Sequence, residues 1–370
     1  MSLNSGLVFK WLKSENASSA ETKWIAKKTR NYLGLTARQY RKMLSYCREK
    51  TKVLERLMST NQWDKIDFSK IPSKAGLIYK NAFARRDIIK EKYKAFAEDK
   101  NTTVNAKSLF PYEVIDKAMA YGDFGYYYGR PQAEDQELDR KMLEKYWEGL
   151  KDTFDDYVFN GLAVCDVSGS MYGQPMAAAI ALSMYCAEKN TGPFANHFFT
   201  FSDKPSFVKI EGIDFVDKVC RIGRANWGNS TNIEAVFDKM LEIAKVNHLT
   251  QDEIPERVVI LSDMEFNDCV TSGSYTNSQS YGWYHKRYEP ANEVLFETIE
   301  KRWRAAGYEM PGITFWNLDA RQSNIPMKVE GRVQLVSGFS QNLFEQVMKG
   351  KDAYSLMFDT LDNERYACIS

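Results

Sequence analysis

The sequence predicts two fold classes in one chain, an all-helical region followed by an α/β region with a doubly wound (Rossmann-like) parallel sheet. Before residue 150, apolar side chains recur at three- and four-residue steps, as in amphipathic helices. From residue 155 onward, short apolar runs alternate with helix-like stretches, as a doubly wound sheet requires. We therefore expect a basic helical domain over residues 1–150, an α/β domain over 151–350 and a tail over 351–370. The tail is expected to pack back on the helical domain.

Four helical stretches are predicted most clearly in the first region. One begins behind Thr36, a residue type typical of an N-cap, and carries apolar residues through Leu57. A second follows residues 71–73 and runs to Phe96, and shorter ones fit residues 111–120 and 134–150. Glycines and a proline over residues 122–131 predict a linker, whose three tyrosines either stack on bases or fill the seam between domains.

The arrangement of these helices is left open by the sequence. Helical repeats of the HEAT type need about 40 residues per pair, so this region has room for three or four pairs. No internal similarity at a fixed period is visible in it. The helices could form an abbreviated HEAT-like arc, a compact bundle or one segment of an oligomeric ring, which makes a homo-oligomer one alternative.

The second region alternates five predicted strands with five predicted helices. The strands are Phe159–Cys165, Asn196–Phe201, Val258–Leu261, Gly312–Leu318 and Val333–Val336. The helices are Pro175–Glu188, Phe215–Cys220, Ile233–Val246, Glu289–Ala305 and Gln341–Met348. A further short helix fits Tyr354–Phe358 in the tail.

An acidic residue and two hydroxyls directly follow the first predicted strand. Asp166, Ser168 and Ser170 are spaced two residues apart and precede a predicted helix. Such a loop at the carboxyl end of a strand can direct several oxygen atoms to one point. Oxygen ligands suit a hard divalent cation, so the pattern favours Mg²⁺ or Mn²⁺.

Two later segments supply further oxygen ligands. Thr231 lies in a Gly/Asn/Ser loop before the helix predicted from Ile233. Asp263 follows the buried-type strand that ends at Leu261. Because binding loops of α/β sheets lie at the carboxyl ends of strands, we expect both residues to join the first three at one site.

The order Asp166, Ser168, Ser170, Thr231, Asp263 resembles the metal-ion-dependent adhesion site (MIDAS) of von Willebrand factor A domains. The resemblance covers about residues 155–350. It implies that the serines and the threonine bind magnesium directly or nearly so, while the carboxylates often act through water. It also implies an open coordination position that takes an acidic group from a protein partner.

A narrower resemblance covers most of the chain. The segments 227–232 (WGNSTN), 262–266 (SDMEF) and 337–340 (SGFS) resemble the signature of the DUF2828 proteins. The segments 40–45 (YRKMLS) and 71–75 (IPSKA) do so in the helical half. That family is similar to the Ro/TROVE RNA-binding proteins, which join a ring of helical repeats to an A domain. The resemblance therefore implies a TROVE-like layout and RNA binding by the helical half.

The charge distribution is uneven although the net charge is only +1. Residues 1–110 hold 24 Lys or Arg against 10 Asp or Glu. Cations beside aromatic residues on helices are typical of a contact surface for a phosphate backbone, and a solvated helix face is the alternative. The candidate RNA contacts are Lys23, Lys27, Lys28, Arg30, Arg38, Arg41, Arg85 and Arg86.

The residues give little support to an enzyme. Ser168 stands where a haloacid-dehalogenase-type phosphotransferase needs its second aspartate, so the acid/base pair is missing. The sequence contains no G-x-S-x-G elbow and no phosphate-binding P-loop motif. Its three histidines, His197, His248 and His285, are too dispersed for a zinc site. We expect a protein without catalytic activity.

A partner-binding loop is predicted after Asp263. Residues 267–288 are rich in Ser, Gly, Asn and Tyr and leave the sheet edge that presents the predicted metal. An adaptable contact surface and a surface excursion without a partner are both consistent with this composition. The aromatic candidates in the loop are Tyr275, Tyr281, Trp283 and Tyr284.

Bulk features predict a cytoplasmic protein. No stretch approaches the 18 to 20 apolar residues of a membrane span, and the N-terminus lacks the features of a signal peptide. The six cysteines are scattered without a C-x-x-C pair, which favours a reducing compartment.

These observations together favour a non-catalytic, Ro-like binding protein. In this hypothesis the basic helical half binds RNA and the divalent metal of the A domain binds a partner. The alternative is a protein-interaction or assembly module. Its metal would capture an acidic residue of a partner, and its basic helices would be scaffold without RNA.

Overall fold

The computed structural model divides the chain into two compact units, Met1–Asn105 and Ala106–Ser370. It describes residues 12–50, 54–106, 109–122, 124, 135–151, 160–166, 168–202, 204–225, 232–263, 291–319, 327–330, 333–338, 343, 347 and 353–362. The helices near residues 111–120 and 134–150 belong by their contacts to the second unit. The sequence alone assigns them to the helical domain of residues 1–150, because they are helical like the stretches before them.

The first unit is helical throughout its described part. Its helices are α1 (Ala20–Tyr32), α2 (Ala37–Lys50), α3 (Leu54–Ser59), α4 (Ser73–Arg85) and α5 (Asp87–Glu98), with 3₁₀ turns at Trp63–Lys65 and Phe68–Lys70. Helix α1 begins at the N-cap Ser19, whose hydroxyl accepts a hydrogen bond from the Thr22 backbone N–H. Ala26 of α1 packs against Tyr40 and Leu44 of α2, and all three are buried.

Helices α4 and α5 occupy the stretch that the sequence predicts as one helix. The chain breaks at Arg86, whose backbone is extended with φ −89° and ψ 108°. The break lets both helices contribute to one aromatic cluster, in which the Phe68 ring lies 5.4 Å from Phe83 and 4.9 Å from Tyr93 between ring centroids. Burial of these rings offsets the hydrogen bonds that a continuous helix would have made at the break.

The second unit is built on a seven-stranded sheet. Its strands are β1 (Gly161–Cys165), β2 (His197–Thr200), β3 (Phe207–Lys209), β4 (Arg257–Ser262), β5 (Gly312–Asn317), β6 (Met327–Glu330) and β7 (Val333–Ser337). Their order is β3-β2-β1-β4-β5-β7-β6, with β3 and β6 antiparallel to their neighbours and the other pairs parallel. The five predicted strands are present, and the two further strands are short edge strands.

The central strands are buried on both faces, as a parallel sheet requires. Alternate residues point to opposite faces, so Leu162 and Val164 belong to a core shared with helices α10 (Ile233–Val246) and α11 (Ala291–Ala305). Cys165 points to the other face of the sheet, toward Ser183. Ser183 lies on α8 (Gln174–Lys189), which covers that side of the sheet.

Helix α8 is buried on all sides. Twelve successive residues, from Met176 to Ala187, are buried, a pattern typical of a helix surrounded by protein. Its outer side is covered by α6 (Pro111–Met119), and α6 in turn packs with α7 (Gln136–Lys151) and α9 (Phe215–Gly223). The sheet of the second unit thus carries an additional helical layer beyond α8.

Polar contacts tie α7 to α8 and α9. The Trp147 indole of α7 stacks on Phe215 with 5.0 Å between ring centroids, and its Nε1–H donates to Glu188 Oε2 at 2.9 Å. The Lys218 ammonium donates to the other Glu188 oxygen at 3.0 Å. Arg140 of α7 donates to both carboxylate oxygens of Asp214, the N-cap of α9, at 2.7 and 2.8 Å. Charge-assisted and bidentate bonds of this kind fix the orientation of the helices.

The C-terminal part is described only in places. The predicted helix Gln341–Met348 lies largely outside the described residues, although Leu343 and Val347 are helical and buried. The tail contains α12 (Ala353–Leu361), whose Tyr354, Met357 and Phe358 are exposed. None of the helices in the described ranges has the length and apolar character needed to cross a bilayer.

Candidate functional site

The predicted metal site lies at the topological switch point of the sheet. Strand β2, which follows β1 in the chain, lies on one side of β1, and β4 lies on the other side. Asp166 follows β1 directly and Asp263 follows β4 directly. Loops at such a crevice are held apart by diverging connections, which leaves space for a ligand at the carboxyl ends of the strands.

Asp166 is buried and held on both carboxylate oxygens. Its Oδ1 accepts a hydrogen bond from the Ser168 backbone N–H at 2.8 Å. Its Oδ2 accepts one from the Ser262 hydroxyl, also at 2.8 Å. The Asp166 backbone N–H continues the sheet by donating to Leu261 O at 3.0 Å. The carboxylate therefore has a fixed orientation, and each oxygen keeps a further lone pair for another donor or for a water molecule.

The two serines of the loop present their hydroxyls side by side. Ser168 Oγ and Ser170 Oγ are 3.0 Å apart, and both residues are half-buried. Adjacent ligands of an octahedral Mg²⁺ at about 2.1 Å are separated by about 3.0 Å, so this spacing suits two neighbouring coordination positions. The hydroxyls do not need to move apart or together to bind one cation.

The loop is anchored at its end by Met171 and Gly173. The Met171 side chain is fully buried, and its backbone N–H donates to Ser168 O at 3.0 Å in a 3₁₀ turn. Gly173 then has φ +91° and ψ −133°, a conformation that side chains strongly disfavour. It allows the chain to turn directly from the site into α8.

The electrostatic environment of the site favours a cation. Burial raises the pKa of the Asp166 carboxyl, and the negative charge of Asp263 raises it further. Hydrogen bonds from Ser168 and Ser262 act in the opposite direction on this pKa. Two buried carboxylates near each other are costly as anions without a positive partner. A bound divalent cation would offset both the desolvation cost of the two buried carboxylates and their mutual repulsion.

Some predicted site residues lie outside the described part of the chain. These are Thr231 and the loop aromatics Tyr275, Tyr281, Trp283 and Tyr284. Within the described ranges, no three His, Cys, Asp or Glu side chains come together as a metal-binding group. The predicted ligand set contains only two such residues, because its other members are hydroxyls.

Ser262 is a site residue that the sequence reasoning did not single out. It is the last residue of β4, is 1% exposed and orients Asp166 across the β1–β4 pair. The available signal was a hydroxyl residue directly before the predicted Asp263, at the end of an otherwise apolar run. Such a position faces a neighbouring strand and can support a ligand there.

The eight predicted RNA contacts belong to the first unit and differ in their surroundings. Lys23, Lys27, Lys28 and Arg38 are exposed. Arg30, in contrast, is ion-paired with Glu15, with 2.8 Å between Nε and Oε1. The remaining three arginines are also exposed: Arg41 donates to Ala37 O of its own helix, Arg86 lies over the Trp63 ring, and Arg85 ends α4.

Helix α1 presents an aromatic and basic face to solvent. Trp24 is 60% exposed and Tyr32 is 91% exposed. The Lys28 ammonium lies 5.4 Å from the centre of the Trp24 ring. Because residues 24, 28 and 32 are spaced by four, they share one side of the helix. Exposed aromatic rings beside cations are the combination with which proteins bind single-stranded nucleic acid.

The comparisons with known proteins divide the chain near the same place as the change in fold class. The model of Domain of unknown function (DUF7788) matches residues 160–365, and that of Domain of unknown function (DUF2828) matches residues 8–156. The chain therefore belongs to the DUF7788 family. The DUF2828 resemblance that the sequence motifs indicated is confirmed over the helical half.

A relative and a solved structure are also similar to this chain. An uncharacterized protein of Acanthamoeba polyphaga mimivirus is 36% identical over 365 residues, which cover 94% of this chain and 58% of the relative. The chain thus spans somewhat over half the length of that relative. The crystal structure of the Deinococcus radiodurans RO (RSR) protein aligns over 94% of this chain and 62% of its own, with 13% identity and a TM-score of 0.41.

Proposed function

We propose that this chain is a non-catalytic binding protein with two binding regions of different chemistry. The first unit binds RNA through its basic helices. The second unit is a von Willebrand factor A domain that holds Mg²⁺ or Mn²⁺ and uses it to bind a protein partner. The observation that carries the proposal is the oxygen cluster of Asp166, Ser168 and Ser170 at the switch point of the sheet, with Asp263 after the adjacent strand.

The cation would be held mainly by the two serine hydroxyls. Their 3.0 Å separation suits adjacent ligand positions, and Asp166, which already accepts two hydrogen bonds, would act through water. Thr231 and Asp263 would complete the ligand set. When bound, the cation supplies an open coordination position for a carboxylate, so the expected partner presents an Asp or Glu.

A titration with Mn²⁺ tests the cation site. Electron paramagnetic resonance or calorimetry should show one site in the full chain. The double variant Asp166→Ala with Ser168→Ala should lose it, whereas Asp252→Ala should retain it. Asp252 is a matched control because it is an exposed carboxylate just before β4, at the opposite end of the strands. Unchanged Mn²⁺ binding in the double variant would contradict the assignment.

RNA binding is supported by the charge of the first unit and by the exposed face of α1. Residues 1–110 carry a strong excess of cations, and Lys28 lies beside the exposed Trp24 ring. Phosphate contacts would supply affinity for any sequence, and the Trp24 ring would supply a surface for stacking a base. Arg30 contributes less in this proposal, because its guanidinium already binds Glu15.

Charge reversal on α1 tests RNA binding. Replacing Lys23, Lys27 and Lys28 with glutamate should weaken binding of all single-stranded RNAs alike and flatten the dependence of affinity on salt. Asp166→Ala should leave RNA affinity unchanged, because the cation serves another partner. If the wild-type chain binds no RNA at low salt and purifies without nucleic acid, the protein-assembly alternative replaces this part of the proposal.

A further inference from the structure

The first unit contains an open cavity of about 580 Å³ beside helices α2 and α3. Segment 14–16 forms one wall, and α2 forms another with positions 41, 44, 45 and 48. These positions recur at three- and four-residue steps, so they lie on one face of the helix. Residues 55, 56 and 59 of α3 complete the lining. All the lining residues are in the described part of one unit.

The lining is dominated by groups that bind anions. The lining contains three arginines, Arg41, Arg48 and Arg56, against one acidic residue, Glu55. Among the described residues, neither Arg41 nor Arg56 forms an ion pair. Both arginines are exposed, and their guanidinium groups keep N–H donors for a ligand. Guanidinium groups bind phosphate through paired N–H donors.

Uncharged hydrogen-bonding residues supplement the arginines. Ser14, Asn16 and Ser45 are also among the lining residues. Their hydroxyl and amide groups can donate to phosphate or ribose oxygens. Leu44 is the one apolar residue of the lining, and no aromatic ring is among the lining residues. The cavity therefore lacks a surface on which a base could stack.

The size of the cavity indicates more than an isolated inorganic ion. Its volume falls in the range of about 300–1,000 Å³ that is typical of small-ligand sites. The lining provides cationic and polar donors and no base-stacking ring. A phosphate with its attached sugar fits this chemistry, whereas base-specific recognition does not.

We propose that this cavity binds a phosphate group of single-stranded RNA together with its ribose. The proposal rests on RNA binding by the first unit and adds a defined backbone site to the exposed face of α1. Arg41 and Arg56 contact the phosphate, and Ser45 and Asn16 contact the sugar–phosphate oxygens. Both a terminal phosphate and an internal phosphodiester offer this chemistry.

Binding of a fluorescent 12-nucleotide oligouridylate to the full chain tests the proposal. The variant Arg41→Gln with Arg56→Gln should lower affinity by about tenfold or more at low salt. It should also reduce the slope of log affinity against log salt by about 0.7, because the contact with one phosphate of a single strand is lost. The matched control, Lys94→Gln with Lys100→Gln, removes two exposed charges from the same unit outside the cavity lining and should change affinity less than about twofold.

Further measurements distinguish a terminal phosphate from an internal one and test whether the variants are folded. Oligouridylate with a 5′-phosphate, with a 3′-phosphate and with neither distinguishes a terminal group from an internal one. Arg41→Lys with Arg56→Lys keeps both charges and should restore the salt slope while recovering only part of the affinity. A urea midpoint of the glutamine variant equal to that of the wild type shows that its lost affinity does not come from misfolding.

The outcomes separate this proposal from the broader one. If the α1 reversal abolishes RNA binding while the cavity variant behaves like its control, the cavity proposal is overturned and the proposed RNA function stands. If the wild-type chain binds no oligouridylate at low salt, both are overturned. A wild-type affinity for inorganic phosphate that is lost in the cavity variant then identifies free phosphate as the ligand instead.

Discussion

Replacing Trp147 with alanine tests whether α6 and α7, which precede the sheet in the chain, belong to the same folding unit as the sheet. The indole is 2% exposed, stacks on Phe215 and donates a hydrogen bond to Glu188. Burial of a side chain of about 200 Å² stabilises the fold by about 5 kcal/mol at 25 cal/mol per Å². Large-to-small replacements of tryptophan cost about 3–5 kcal/mol, so we expect a loss in this range.

A second variant separates packing from hydrogen bonding at this position. Trp147→Phe keeps an aromatic ring against Phe215 but removes the N–H that donates to the Glu188 carboxylate. A hydrogen bond to a charged group contributes about 1.5–3 kcal/mol, so the loss should be smaller than for alanine. Trp24→Ala is the control, because this exposed tryptophan lies in the first unit and its loss should change stability by less than about 0.5 kcal/mol.

Urea unfolding of the full chain, followed by far-ultraviolet circular dichroism, measures these differences. The transition of the second unit should move to lower urea in Trp147→Ala and less so in Trp147→Phe. A Trp147→Ala protein within about 0.5 kcal/mol of the wild type would refute the reasoning. The helices that precede the sheet would then contribute no stability to it.

Three further predictions concern the site loop and the helical layer. Ser262→Ala removes the hydroxyl that orients Asp166, and it should weaken Mn²⁺ affinity by about 10- to 100-fold in calorimetry without removing a ligand. Gly223→Ala would place a Cβ 2.5 Å from the Phe124 ring, so it should lower the unfolding free energy by about 1–3 kcal/mol, and an unchanged urea midpoint would contradict this. Burial raises the pKa of the Cys186 thiol in the folded chain above its value in the unfolded chain. As the pH rises above about 8.5, the thiol ionises in the unfolded chain and not in the folded one, so the stability of the fold should decrease. The fall in urea midpoint between pH 8 and 10.5 should be smaller in Cys186→Ala.

The sequence was sufficient to predict the central strands and the helices between them. Continuous apolar runs such as those ending at Cys165 and Leu261 leave little choice besides buried parallel strands. The edge strands β3 and β6 were missed because three or four residues are too few to show an alternating pattern. The break at Arg86 was also missed, because neither proline nor glycine marks it and the aromatic cluster that favours it is a tertiary contact.

The sequence was sufficient to predict which site residues follow predicted strands. It was not sufficient to predict the contacts between residues that are distant in the chain. The positions of Asp166 and Asp263 at the carboxyl ends of two strands followed from the strand pattern. The role of Ser262 required knowledge that β4 lies directly beside β1. For the cations, sequence alone could not distinguish Arg30, which binds Glu15, from Lys28, which remains exposed, because ion pairs between distant residues leave no local pattern.

The hydrogen bond from Ser262 to Asp166 joins residues 96 positions apart in the chain. The oxygen cluster can therefore form only after the slow, non-local step in which β4 pairs with β1 during folding. A cation that needs this cluster would therefore bind only to molecules in which β1 and β4 are already paired. At a concentration of 100 times its dissociation constant it would add about 2.7 kcal/mol to the stability of the folded chain. Cation uptake after dilution from urea would thus report the completion of the sheet in real time.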